Sequence, residues 1–157
     1  MTMTIVSPAF VHNQAIPVRF TADGADVSPP LTWSGAPAGA REFALIVDDP
    51  DAPGDEPWVH WVIYKIPADR AGWPEGVAKV KAPGDPAGAV QGKNSFGKIG
   101  YGGPSPPRGH GVHHYHFQLY ALKASLNLTD SLTKQQLLAA IQGQVMAQAE
   151  LVGTYVR

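Results

Sequence analysis

Three clusters in the chain bring together residue types that can bind or do chemistry. The first is Asp48-Asp49-Pro50-Asp51-Ala52-Pro53. Its two prolines fix φ and stiffen the segment, so carboxylates can be held in one geometry. An extended loop would put Asp49 and Asp51 on the same side, although the same residues also suit a plain acidic turn. The second is His60 within Trp58-Val59-His60-Trp61-Val62, either a core histidine or a donor at the floor of a pocket. The third runs from Gly100 to Tyr115, GYGGPSPPRGHGVHHY. Its glycines let backbone N–H groups approach a ligand, and its prolines lower the ordering cost of binding. Such a loop can make an anion-binding concavity, or be a surface turn before a His-rich strand.

The elements that carry these clusters read as strands. Glu42–Val47 is a nearly continuous apolar run, as in a strand buried on both faces. Trp58–Ile66 is β-branched and aromatic and is bracketed by Pro57 and Pro67. In His113–Leu122 the period of two puts His113, Tyr115, Phe117 and Leu119 on one face. Ile16–Phe20 and Leu31–Trp33 read as shorter strands, and Ala82–Gly111 as loop. Thr133 and Gln136 have capping-box spacing and Leu137, Ile141 and Val145 recur at i+4, which predicts a helix over 133–150. A short strand, Leu151–Val156, is expected to follow. The expected fold is mainly β, one domain over 1–157, with one principal C-terminal helix.

Composition bounds the function. The 157 residues include 17 glycines and 15 prolines, which suits short strands and tight turns rather than a helical bundle. There is no cysteine, so disulfides and Cys-based zinc sites are excluded. No run approaches the roughly 18 apolar residues of a membrane span, and no secretory leader is visible, so a cytoplasmic location is expected. A net charge of −1 argues against nucleic acid as partner. The charges are uneven: six acids and no bases lie in 42–56, six Lys/Arg and one acid in 77–129. If these regions meet, the site mixes carboxylates with a positive field.

Familiar catalytic signatures are missing. Gln91-Gly92-Lys93-Asn94 is not a P-loop, and there is no G-x-S-x-G elbow. Ser95 and Ser105 lie in loops with no signal that activates either as a nucleophile. His60, His113 and Asp49 could supply three metal ligands, but H-E-x-x-H is absent and alternation scatters the other histidines over two faces.

Taken together, the clusters resemble the phosphatidylethanolamine-binding protein family, also called Raf kinase inhibitor proteins, in its compact bacterial and archaeal form. The likeness rests on Val27-Ser28-Pro29-Pro30-Leu31-Thr32-Trp33, Asp49-Pro50-Asp51-Ala52-Pro53, Trp58-Val59-His60-Trp61-Val62, and Gly92-Lys93-Asn94-Ser95-Phe96-Gly97 through to His113-His114-Tyr115. It covers about two-thirds of the chain, Phe20 to Leu122. The resemblance implies a β-sandwich-like fold with a central antiparallel sheet and a small pocket for phosphate or a phosphorylated head group. The family's pocket groups fall on Asp49, Asp51, Pro53, His60, Pro106, His113 and Tyr115. Ser105, at the pocket lip, stands where Gly or Cys is common, and His114 where Arg is usual. The implied role is non-catalytic, with no cofactor: inhibition of a protein kinase or protease, or adaptor work, with homodimers among bacterial relatives. A metal-dependent or His/Asp hydrolase using the same pocket is the alternative.

The pocket also carries an expectation about pH. An oxyanion between His60 and His113 favours their protonated forms, and burial against Trp58 and Trp61 opposes them. Two acids in one short loop tip the expected balance toward charge.

Overall fold

The computed structural model describes residues 2–157. The chain runs β1 (Thr4–Val6), β2 (Gln14–Ala15), β3 (Leu31–Ser34), β4 (Glu42–Asp49), β5 (Trp58–Pro67), β6 (Gly72–Trp73), β7 (Val90–Gln91), β8 (His113–Leu122), α1 (Lys134–Ile141) and β9 (Val145–Tyr155). A six-stranded sheet has the order β2-β9-β8-β4-β5-β7, and a three-stranded sheet the order β1-β3-β6. All pairings are antiparallel except β2 with β9. The expected mainly β, sandwich-like architecture is present.

The apolar run of β4 is buried at every position because both faces of the large sheet are covered. One face packs on the small sheet. Phe43, Leu45, Trp61, Phe117 and Leu119 meet Ile5, Trp33 and Trp73 there, and Trp73 sits edge-on to both Trp33 and Trp61. The other face, with Ala44, Ile46, Val62 and Tyr120, is covered by Leu137 and Ile141 of α1. Lys134 fixes the start of α1 by donating to Asp48 Oδ2 at 2.6 Å.

Two expected elements differ. The capping box of Thr133 and Gln136 forms, but the helix ends at Ile141 instead of running to Glu150. Gly143 takes φ 80°, the left-handed conformation that glycine adopts freely. The chain then enters β9, which pairs with β8 over its whole length. Ile16–Phe20 is not a strand: it holds a 3-10 turn at Val18–Phe20. Pro17 has no N–H to continue a ladder, and its carbonyl accepts from Phe20 N at 3.0 Å.

The β4–β5 pairing shifts register between Val47, opposite Trp61, and Asp48, opposite Val59. His60 is therefore the extra residue of a β-bulge, which re-aims side chains on the bulged strand. The bulge turns His60 toward Tyr115 of β8, with ring centroids 5.1 Å apart.

Candidate functional site

At one end of the sandwich a cleft of about 310 Å³ opens among the ends of β4, β5 and β8 and the 104–107 loop. Asp49, Pro53, His60, Ser105, Pro106, His113 and Tyr115 all line it. The structure thus gathers seven of the eight residues singled out in the sequence, from three strands and two loops.

Asp51 is the exception. Its backbone N–H donates to Asp49 Oδ1 at 2.8 Å, an Asx-type turn that ends the extended run expected of this loop. Its carboxylate faces His114, accepting from the backbone N–H at 2.8 Å and from ring Nδ1 at 2.7 Å. Burial works against that carboxylate, but the hydrogen bonds from His114 outweigh it and hold Asp51 below the usual range. Asp51 is a clip between loop and β8, outside the cleft wall. Its partner is His114.

His60 is 3% exposed. Its Nδ1–H donates to the Gly102 carbonyl at 2.6 Å, while Gly102 N–H donates to the His60 carbonyl at 2.9 Å. This reciprocal pair leaves Nε2 for the cleft. Burial pushes the His60 pKa down, outweighing the Gly102 carbonyl and the carboxylates of Asp49 and Asp48. The expected balance is reversed for this residue. A neutral ring bound through Nδ1–H offers Nε2 as an acceptor, not a donor.

His113 is 1% exposed, and its Nδ1–H donates to Asp49 Oδ2 at 2.6 Å. Its Nε2 lies 2.7 Å from Nδ1 of exposed His110. Asp49, His113 and His110 form a hydrogen-bonded chain from the interior to solvent. Tyr115 stacks beside His113, with centroids 6.5 Å apart. Burial, reinforced by Asp49, raises the Tyr115 pKa far above its ordinary value, so the phenol is a neutral donor.

Sequence reasoning missed several wall residues: Ala52, Trp58, Phe96 and Pro107. Trp58 and Phe96 were legible as aromatics beside the polar motifs, and they pack edge to face 5.4 Å apart, both partly exposed. Arg157, at the other end of the chain, carried no local signal. Its guanidinium donates to Asp23 and to the Pro106 carbonyl, at 3.2 Å, tying the proline-rich loop down. The acidic and basic regions do not pair. Asp49 and Asp51 take histidines, Asp48 takes Lys134, and none of the six bases in 77–129 bridges an acid of 42–56 among the described residues. No three His, Cys, Asp or Glu side chains converge as a metal site among the described residues.

The molecule is thus a two-layer β fold with an apolar-walled cleft at its strand ends that carries both hydrogen-bond donors and acceptors. The comparisons give the family. The phosphatidylethanolamine-binding protein family model matches residues 6–156, and the chain belongs to that family. A UPF0098 protein of Methanothermobacter thermautotrophicus is 46% identical over 155 residues, covering 99% of both chains. A Mycobacterium tuberculosis relative named as a candidate lipoprotein, LppC, is 46% identical over 98% of this chain and 72% of its own. The crystal structure of Escherichia coli YbcL, described as a member of the mammalian PEBP family, superposes with a TM-score of 0.93 at 33% identity, covering 100% of this chain and 99% of that one. Among the described residues no helix is long and apolar enough to cross a membrane.

Proposed function

We propose that the protein is a non-catalytic binding module whose cleft takes a phosphate monoester or a similar phosphorylated head group in its singly protonated form. The observation that carries this reading is the pairing of an acceptor, His60 Nε2, with a donor, the Tyr115 hydroxyl, in one cleft lined by Asp49 and His113. A monoanionic phosphate offers both halves: a P–O–H for His60 and oxygens for Tyr115. A dianion without a proton meets an acceptor at Nε2 and is penalised.

The Asp49–His113 pair has the orientation of a hydrolase base and its orienting acid. However, the nitrogen that would take a nucleophile's proton, His113 Nε2, is engaged by His110 at 2.7 Å. This favours binding over catalysis. A kinase or protease, held through the rim of the same cleft, is the class of partner that would put the module to use.

Isothermal titration calorimetry with phosphoethanolamine tests the reading. A ligand this small gives a Kd on the order of 1 mM. His60→Ala and His113→Ala should each weaken it at least about tenfold, about 1.4 kcal/mol. Unchanged binding in both variants overturns the assignment of the cleft.

A further inference from the structure

The cleft is not isolated. On the far side of the Gly102–Gly103 backbone lies a second, larger cleft of about 460 Å³. Phe96 and Ser105 line both. Its other walls include Ile99 and Tyr101, and two ammonium groups, Lys79 and Lys98, stand at it against a single carboxylate, Asp26. That carboxylate is committed: Asp26 Oδ1 accepts from Gly103 N–H at 2.7 Å, and Oδ2 lies 3.6 Å from Lys79 Nζ. Lys98 pairs with no carboxylate among the described residues. The second cleft therefore keeps an excess of positive charge over an apolar floor.

What separates the two clefts is backbone with no side chain. A Cβ on Gly102 would fall 2.8 Å from the Phe96 ring, and one on Gly103 would fall 2.6 Å from Asp26 Oδ1. At Gly102 a side chain would have to displace the Phe96 ring, and at Gly103 the Asp26 carboxylate and the Phe20 carbonyl leave no room for one. The Phe96 ring lies against this ridge, 5.5 Å from the His60 ring on the first cleft's side.

We infer that the two clefts are subsites of one elongated site for a ligand with two anionic ends joined by a short apolar body. One end meets His60 and Tyr115, the body runs along the exposed side of Phe96 beside Ser105, the two residues that line both clefts, and the other end meets Lys79 and Lys98. This rests on the head-group reading of the first cleft.

The probes are alkane-1,ω-bisphosphonates of increasing chain length, each compared with the alkyl monophosphonate of equal length. Linking two weak sites gains the ratio of effective concentration to subsite Kd. With an effective concentration of at most about 10 mM against a subsite Kd of about 1 mM, the gain is about tenfold at best. Calorimetry is expected to show that gain at one intermediate length, falling on either side. Lys98→Ala should remove the gain and leave monophosphonate binding alone. Because Lys98 is exposed and unpaired, its loss does not threaten the fold. His60→Ala should weaken both probes.

A bisphosphonate that binds no tighter than its monophosphonate at every length overturns the inference. A gain that survives both Lys98→Ala and the Lys79→Ala/Lys98→Ala double substitution does the same. Monophosphonate binding indifferent to His60→Ala instead overturns the head-group reading, while the Lys98 dependence of the bisphosphonate still reports the second cleft.

Discussion

Asp49→Asn isolates what the buried carboxylate does, because it keeps the shape and removes the charge. Asp49 is 2% exposed and accepts twice: Oδ1 from Asp51 N–H at 2.8 Å, and Oδ2 from His113 Nδ1–H at 2.6 Å. An asparagine must keep its one oxygen on the Asp51 N–H, which can only donate. Its NH2 then faces His113 Nδ1, which must become the acceptor. Neutral His113 is driven to the Nε2–H form, and the direction of its bond to His110 Nδ1 reverses. A charge-assisted hydrogen bond contributes about 1.5–3 kcal/mol and a neutral one about 0.5–1.5, so the expected loss is about 1–2 kcal/mol. At about 2–4 °C per kcal/mol for a domain of this size, Tm falls by about 2–8 °C. Asp49→Ala, which strands the His113 N–H, should cost about 3–5 kcal/mol. Long-range 15N–1H correlation of the His113 ring reads the tautomer directly, and calorimetric melting reads the stability. If Asp49→Asn leaves the proton on Nδ1, or melts with the wild type, the proposed wiring of the Asp49–His113–His110 chain is wrong.

The depressed pKa of buried His60 makes stability depend on pH. Below about pH 6.5 the unfolded chain takes up a proton that folded His60 refuses. Stability therefore falls with falling pH, by at most about 1.4 kcal/mol per unit, until the folded pKa is reached. Denaturant melts of wild type and His60→Gln between pH 7 and 5 should show a shallower loss in the variant. The same depression shapes ligand choice. Sulfate, which carries no proton, should bind measurably only as pH drops below about 6.5, whereas a phosphomonoester, with a pKa near 6, should already bind at pH 6–7. Sulfate binding equal to phosphomonoester binding at pH 7 would count against His60 as acceptor. Lys134→Ala leaves Asp48 without its partner in a mostly buried pair whose side chains are 19% and 10% exposed. This should cost about 3 kcal/mol, and Asp48→Leu/Lys134→Met should recover most of it, as scored by a double-mutant cycle in urea.

Strong local patterns made the central strands legible. β4 is apolar from Phe43 to Val47, β5 is rich in aromatic and β-branched residues between prolines, and β8 alternates. Each pattern reports which residues of the strand are buried, and that is written locally in the residue types. The helix start was legible for the same kind of reason, since a capping box is local chemistry between Thr133 and Gln136. Its end was misread because Leu137, Ile141 and Val145 satisfy a helical spacing while Val145, Ala147, Ala149 and Leu151 satisfy a strand's. Pairing of β9 with the buried strand β8 settles the choice, and Gly143 makes the exit cheap.

The site divides along the same line. Residue types and spacing marked Asp49, His60, His113 and Tyr115 as polar groups on or beside strands that must be buried, so a shared polar pocket was a fair expectation. The charge state of His60, the fate of Asp51 and the second cleft depend on contacts between segments far apart in the chain. His60 is held neutral by burial under Tyr115 and Phe96, against the pull of the Gly102 carbonyl, in a bulge created by its pairing with β4. Asp51 leaves the cleft because the Asx turn at Asp49 aims it at His114, 63 residues away in the chain. Composition and periodicity carry hydrophobic burial, which is set residue by residue. Hydrogen-bond direction and protonation are set by which partner arrives, and only the folded chain brings the partners together.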